Sequence, residues 1–157
     1  MWLKCLADLI FPRKCEICGR LLTGDERYIC EDCMEDMPLT YYWDWPENPA
    51  EKKLWVRTHL HRVIPLFFYT RESRYITLIH KIKYQGKAHL GHHMGVMLGE
   101  KLKGVLSDVD YIVPILLHPI RRWRRGYNQA EIIAGGVTEA LFGKDKAKLH
   151  LRCDILK

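Results

Sequence analysis

The stretch Val109–Glu131, VDYIVPILLHPIRRWRRGYNQAE, decides how the rest of the chain is read. Val109, Tyr111, Ile112 and Val113 form a short apolar run with β-branched residues, the composition of a strand in a covered sheet. Pro114 and Pro119 limit how far regular structure continues, because neither offers a backbone N–H. Arg121, Arg122, Arg124 and Arg125 then place four guanidiniums within five residues, closed by Gly126. Asn128 opens a helix with Glu131 three residues on, the reciprocal N-cap pattern. Cations and the free N–H groups of a helix start, just past a strand end, make a place to hold a phosphate or pyrophosphate.

Working back from this stretch, Val63–Tyr69 (VIPLFFY) reads as a strand, with Pro65 placing it at an edge or bulge. Tyr75, Leu78, Ile79 and Ile82 follow at i, i+3, i+4 and i+7, a helix that stops at Gly86. Its other face carries Arg74, His80, Lys81 and Lys83, with Tyr84 and Lys87 near the end. Two readings of Lys81, Lys83, Tyr84 and Lys87 stay open: a solvated face, or one edge of a phosphate or nucleic-acid cleft. A second helix spans about 90–106, where Gly91, Gly95 and Gly99 recur every four residues and predict close approach of another backbone. His89, His92 and His93 include an i, i+4 pair, but no neighbouring acid completes a metal site. Downstream, Asn128–Phe142 reads as a helix with Ile132, Ile133, Val137 and Leu141 on its apolar side, closed by Gly143. Lys148–Arg152 alternates like a half-exposed strand. Strands alternating with helices predict an α/β fold with a parallel sheet.

The N-terminal part is different in kind. Cys15, Cys18, Cys30 and Cys33 form C-x2-C-x11-C-x2-C, two knuckles that supply the four sulfurs of a closed, structural zinc shell. Disulfides, a redox pair and an iron–sulfur cluster are the competing readings; the paired spacing favours zinc. Residues 13–37 hold few large apolar groups, so the metal supplies much of their folding free energy. Cys5 and Cys153 fall outside the pattern and read as free thiols. Trp2, Leu6, Leu9 and Ile10 share one face of a short helix, and Asp8 argues against a secretory signal. YYWDW at 41–45 reads as a packed aromatic edge, since Asp44 and Glu47 disfavour a nucleic-acid backbone there. The expected organisation is an N-terminal helix and ribbon over 1–45, a linker over 46–60, and an α/β domain over 61–157.

Charge follows the same division. Residues 1–60 carry 8 Lys+Arg against 11 Asp+Glu, net −3, and residues 61–157 carry 17 against 8, net +9. The basic part favours an anionic partner such as a nucleotide, a phosphorylated sugar or nucleic acid, although a merely solvated basic surface has the same composition. No apolar run approaches the ~20 residues that span a membrane, and cytoplasm is the expected location.

Taken together, FPRKCEICG at 11–19, CEDC at 30–33, FFYTRESRYITLIHKIKYQGKAHLG at 67–91 and IVPILLHPIRRWRRGYNQAE at 112–131 resemble the ComF/GntX family of phosphoribosyltransferase-like proteins, linked with natural competence and DNA uptake. The blocks occur in the family's order and cover nearly the whole chain. The resemblance implies a type I phosphoribosyltransferase-like parallel sheet behind an N-terminal double zinc ribbon. It implies phosphoribosyl pyrophosphate as ligand, with magnesium, and displacement of pyrophosphate from the anomeric carbon of the sugar. By that likeness the loop 114–118 with His118 approaches the pyrophosphate. Arg121, Arg122, Arg124 and Arg125 supply charge beside Gly126, and Asn128 and Gln129 supply polar contacts. Single-stranded DNA and DNA-processing proteins are the implied partners.

Two departures qualify the likeness. Ile115 stands where the family has a smaller residue, often Val. The hydrophobic strand running into two acids and a Thr-Thr-Gly turn, which in the family grips the ribose and its 5′-phosphate, is missing from the sequence. Asp108 and Asp110 precede an apolar strand instead of ending one. The expectation is therefore a C-terminally incomplete member with no independent transferase activity and no assigned catalytic residue. Its exposed sheet edge would be a route to self-association. A zinc-ribbon module that contacts single-stranded DNA or a DNA-processing partner through the Lys81–Lys87 and Arg121–Arg125 patches is the alternative function.

Overall fold

The computed structural model describes residues 12–154 and divides the chain into two compact units. One comprises the chain up to Pro38 together with Tyr69–His80; the other comprises Leu39–Phe68 together with the chain from Lys81 onward. The expected helix carrying Trp2, Leu6, Leu9 and Ile10 lies outside the described residues, as does Cys5.

In the first unit, Lys14 and Leu21 form a single antiparallel bridge across the 15–18 turn. Arg13 and Leu22 continue the pairing, with Leu22 N–H donating to the Arg13 carbonyl at 2.8 Å. Helix α1 (Glu31–Glu35) follows, with Glu31 and Asp32 in its first turn, where acids favour the helix dipole. The Tyr69–His80 segment contributes Tyr75 and Leu78, both buried. The Tyr75 hydroxyl donates to the Cys33 carbonyl at 3.0 Å, and Arg74 pairs with Asp36 at 2.6 Å. Helix α3 (Ile76–Tyr84) begins in this unit and ends in the other.

The second unit starts with the aromatic edge, where Leu39 bridges Phe67 and Thr40 N–H donates to the Leu66 carbonyl. Residues 46–60, expected as a linker, instead contain helix α2 (Pro49–Trp55). Its start is fully specified: Asn48 accepts from Ala50 and Glu51 N–H, Glu51 reaches back to Asn48 N–H, and Pro49 occupies the first helical position. Glu51 is only 1 % exposed, and Arg62 Nε at 3.0 Å and Val63 N–H at 3.1 Å meet its carboxylate. The same guanidinium donates to the Tyr42 and Trp43 carbonyls, fastening the aromatic edge to α2.

The bulk of this unit is helical. Helix α4 (Ala88–Leu102) packs lengthwise on α6 (Gln129–Phe142) through glycines. A Cβ built on Gly95 would sit 2.1 Å from the Ile133 carbonyl oxygen, and one on Gly136 would sit 2.2 Å from that of His92. The close approach expected from the glycine spacing is therefore backbone against backbone at Gly95 and Gly99, whereas Gly91 faces the side chains of Ile82, Ile132 and Ile133. Trp43, Leu102 and Val137 form the core beside it, with Leu39, Leu66, Leu98, Ile112 and Leu141 packed around them. Helix α5 (Pro119–Arg125) carries the arginine cluster, starts on a proline and ends on Gly126 in the left-handed region (φ 77°).

The parallel α/β sheet expected from the apolar runs and from the family likeness is overturned: among the described residues there is no strand, only isolated bridges. Ile112 makes one parallel bridge to Leu151, with Ile112 N–H to the His150 carbonyl and Arg152 N–H to the Ile112 carbonyl. It goes no further, because Pro114 has no donor to continue a ladder and residues 147–150 coil into helix α7 (Ala147–His150) rather than extending. Val63–Tyr69 likewise pairs only at Phe67, and Pro65 contributes no N–H. Ile64, Leu66 and Ile112 of these runs are partly buried against the core as loop segments, while Phe68, Tyr69 and Tyr111 stay exposed, an arrangement that periodicity alone does not distinguish from strands. With no sheet among the described residues, the edge expected to mediate self-association is not present there. No helix among them is long and apolar enough to cross a membrane.

Candidate metal centre and basic cleft

The thiol centre is built from one tight turn and one helix start. Cys15 and Cys18 flank the turn, and Gly19 (φ 78°) turns the chain back so that Cys15 N–H donates to the Arg20 carbonyl at 2.7 Å. Cys30 is the N-cap of α1 and Cys33 lies inside that helix. Their four sulfurs all lie within 4.8 Å of one another, and Cys18 and Cys30 Sγ are 3.6 Å apart. Four thiolates at ~2.3 Å from one zinc would stand ~3.8 Å apart, so the cage has the size and donor set of a closed tetrahedral site.

Cys15, Cys30 and Cys33 are buried and Cys18 is exposed; none of these four is in a disulfide. Burial raises the Cys15 thiol pKa, but the N–H groups aimed at its sulfur, from Cys30 and Ile17 at 3.4 Å among them, outweigh it and bring it down to about 6. Burial pushes the Cys33 and Cys30 thiols up, so a bound cation is the natural compensation for four sulfurs held this close.

The second site is a cleft of about 360 Å³ in the other unit, lined by Lys83, Tyr84, Arg121, Arg124 and Arg125. Lys83 and Tyr84 come from the end of α3 and the arginines from α5. Arg125 Cζ lies 5.4 Å over the Tyr84 ring, and its guanidinium donates to Gln129 Oε1 at 2.8 Å. Pro119 and Gly126 fix the ends of α5, and none of its residues is buried.

Residues 6–42 match the double zinc ribbon domain. No curated protein and no solved structure matches the chain. The thiol centre is thus the structural zinc site of a zinc ribbon. Between residues 6 and 42 there are four cysteines and no histidine, ligands for one zinc. Among the described residues these cysteines are also the only close group of three or more metal-ligating side chains. His92 instead faces Glu139 at 3.3 Å. The ribbon leaves no coordination position open, so its metal holds structure and performs no chemistry. Leu22, Ile29 and Met37, with Tyr75 and Leu78, are the buried apolar groups it works with.

The cleft unites side chains that are far apart in sequence. Lys83 and Tyr84 belonged to the open phosphate-or-solvent face, and Arg121, Arg124 and Arg125 to the arginine cluster. Arg122 turns toward Glu131 at 3.8 Å. His118 is the N-cap of α5 without a side-chain cap bond, and Lys81 and Lys87 lie outside the cleft lining. Asn128 and Gln129 are buried. Asn128 donates to the Ile115 carbonyl and accepts from Ala130 N–H; Gln129 binds Arg125 and the Tyr127 carbonyl. Tyr127, absent from the sequence-based candidates, donates from its hydroxyl to the Ile82 carbonyl. No short-range pattern announces that contact, because its partners are 45 residues apart.

Proposed function

We propose that this chain is a ComF-type zinc-ribbon protein that works in DNA uptake in the cytoplasm and holds a phosphate-rich ligand, of the class of phosphoribosyl pyrophosphate, in the basic cleft. The observation that carries the reading is the convergence of Lys83, Tyr84, Arg121, Arg124 and Arg125 on one concave site. Guanidiniums present paired donors that match phosphate oxygens, and a cluster of them stabilises the charge of a diphosphate. The family likeness of the 67–91 and 112–131 blocks supports it, because both blocks contribute to the cleft. The matched ribbon at 6–42 agrees with the same likeness.

Thermal unfolding with phosphoribosyl pyrophosphate and magnesium tests it. A ligand at a hundred times its Kd stabilises by about 2.7 kcal/mol, a shift of several degrees for a domain of this size. An unchanged Tm at millimolar ligand would sink the reading.

A second reading takes single-stranded DNA as the occupant. Its support is the exposure of Tyr84 (66 %), which lines the cleft, and of Trp123 (85 %), which lies on α5 outside the lining, since bases stack on aromatic faces while phosphates meet cations. Affinity for an oligothymidine should then fall with salt, with a log–log slope of about −0.7 per phosphate contact. A slope near zero would remove it.

A further inference from the structure

Tyr127 has no place in the roles assigned above. It joins α5 to α6, directly after the left-handed Gly126. Its hydroxyl donates to the Ile82 carbonyl in the last turn of α3, where helix carbonyls lack an intrahelical donor. The phenol thus caps α3 from the opposite wall of the cleft. Lys83 and Tyr84 come directly after Ile82, and Arg125 lies two residues before Tyr127, so the bond ties the walls where both begin. A second tie runs beside it: Arg125 stacks on Tyr84 and binds Gln129, whose Nε2 donates to the Tyr127 carbonyl at 3.3 Å. Burial raises the Tyr127 phenol pKa against the opposing effect of Arg125, which keeps the donor proton in place.

Lys83, Arg121, Arg124 and Arg125 repel one another across the cleft. Unrestrained walls would separate in the absence of ligand, and closing them would oppose binding. A single phosphate held by one wall would not depend on the spacing of the walls, whereas two linked phosphates reaching both Lys83 and the α5 arginines would. We infer that Tyr127 is a positioning residue that holds the α3 wall against the α5 wall, and that this spacing makes the cleft prefer two linked phosphates to one. The inference rests on the phosphate-cleft reading and identifies what sets its selectivity.

Calorimetric titration of the zinc-loaded full chain with sodium pyrophosphate and, separately, with orthophosphate tests it on wild type, Tyr127→Phe and Arg124→Gln. Tyr127→Phe keeps the ring and removes one donor. It should weaken pyrophosphate by about fivefold, the worth of one net hydrogen bond. Orthophosphate affinity should hold, Tm should stay close to wild type, and amide exchange over 83–86 should rise. Arg124→Gln should weaken both ligands. An unchanged ratio of the two affinities in Tyr127→Phe, whether neither or both fall, overturns the positioning role and leaves the cleft reading standing. Wild type that binds neither ligand overturns the cleft reading itself, and the positioning role with it.

Discussion

Gly135 and Gly136 are adjacent in α6, and alanine at the two positions should act in opposite directions. Both lie in helical backbone, where replacing glycine by alanine gains ~0.8–1 kcal/mol of helix propensity. At Gly135 the new Cβ meets only His92 Cδ2 at 4.0 Å, so the gain stands. At Gly136 it would lie 2.2 Å from the His92 carbonyl oxygen, 2.7 Å from Val96 nitrogen and 3.0 Å from the Gly95 carbonyl carbon. Close carbon–oxygen contacts settle at about 3.3 Å, so α4 and α6 must separate by about 1 Å. A gap of that size forfeits up to about half the dispersion energy of the atoms beside it. Backbone offers no rotamer by which to yield, which puts the strain at the upper end of the ~1–3 kcal/mol typical of overpacking. Net of propensity, Gly136→Ala should destabilise by about 2 kcal/mol and Gly135→Ala should stabilise by about 0.8–1 kcal/mol. Urea unfolding followed by circular dichroism measures both. Two variants that shift the midpoint in the same direction by the same amount would refute the helix contact.

Other expectations follow from the same contacts. Cys30→Ser should lower bound zinc from one per chain to a small fraction by elemental analysis, and it should raise amide exchange in 13–37 and 70–78 while the α4–α6 pair stays protected; retained zinc would contradict the four-sulfur site. Burial acts to raise the Glu51 carboxyl pKa, but Val63 N–H and Arg62 prevail and hold it below its usual 4.5. Its stabilising contribution is therefore complete above the unfolded value and is lost as pH falls through the lower folded value, so Glu51→Gln should flatten the acid limb of a stability–pH curve, and an unaltered limb would contradict the network. Arg62→Ala should release the 41–45 loop, seen as faster quenching of Trp43 and Trp45 fluorescence, because it loses its bonds to the Tyr42 and Trp43 carbonyls.

The parts of the molecule legible in the sequence are those fixed by short-range spacing. The cysteine pairs specify a four-sulfur cage because each knuckle closes within a few residues, and the helices near 76–84, 88–102 and 129–142 follow their apolar periodicity. The glycines of α4 announced a backbone contact because nothing else explains so poor a helix former at every fourth place. Helix α2 was hidden by its polar composition, although Asn48, Pro49 and Glu51 are a complete start signal. The sheet was misread for the opposite reason. Val109–Val113 and Val63–Tyr69 have the composition of strands, but a strand exists only where a partner continues the ladder, and composition carries no information about partners. The cleft was half legible: the arginines stood out as a cluster, and Lys83 and Tyr84 joined them only through the packing of α3 beside α5.

The most direct test of the phosphate cleft is the side-chain nitrogen spectrum of the arginines during titration with pyrophosphate. The account predicts saturable shifts of the Arg121, Arg124 and Arg125 guanidinium resonances, with Arg62, paired with the buried Glu51, and Arg74, paired with Asp36, left in place. Shifts confined to other arginines, or none at all at saturating pyrophosphate, would contradict it.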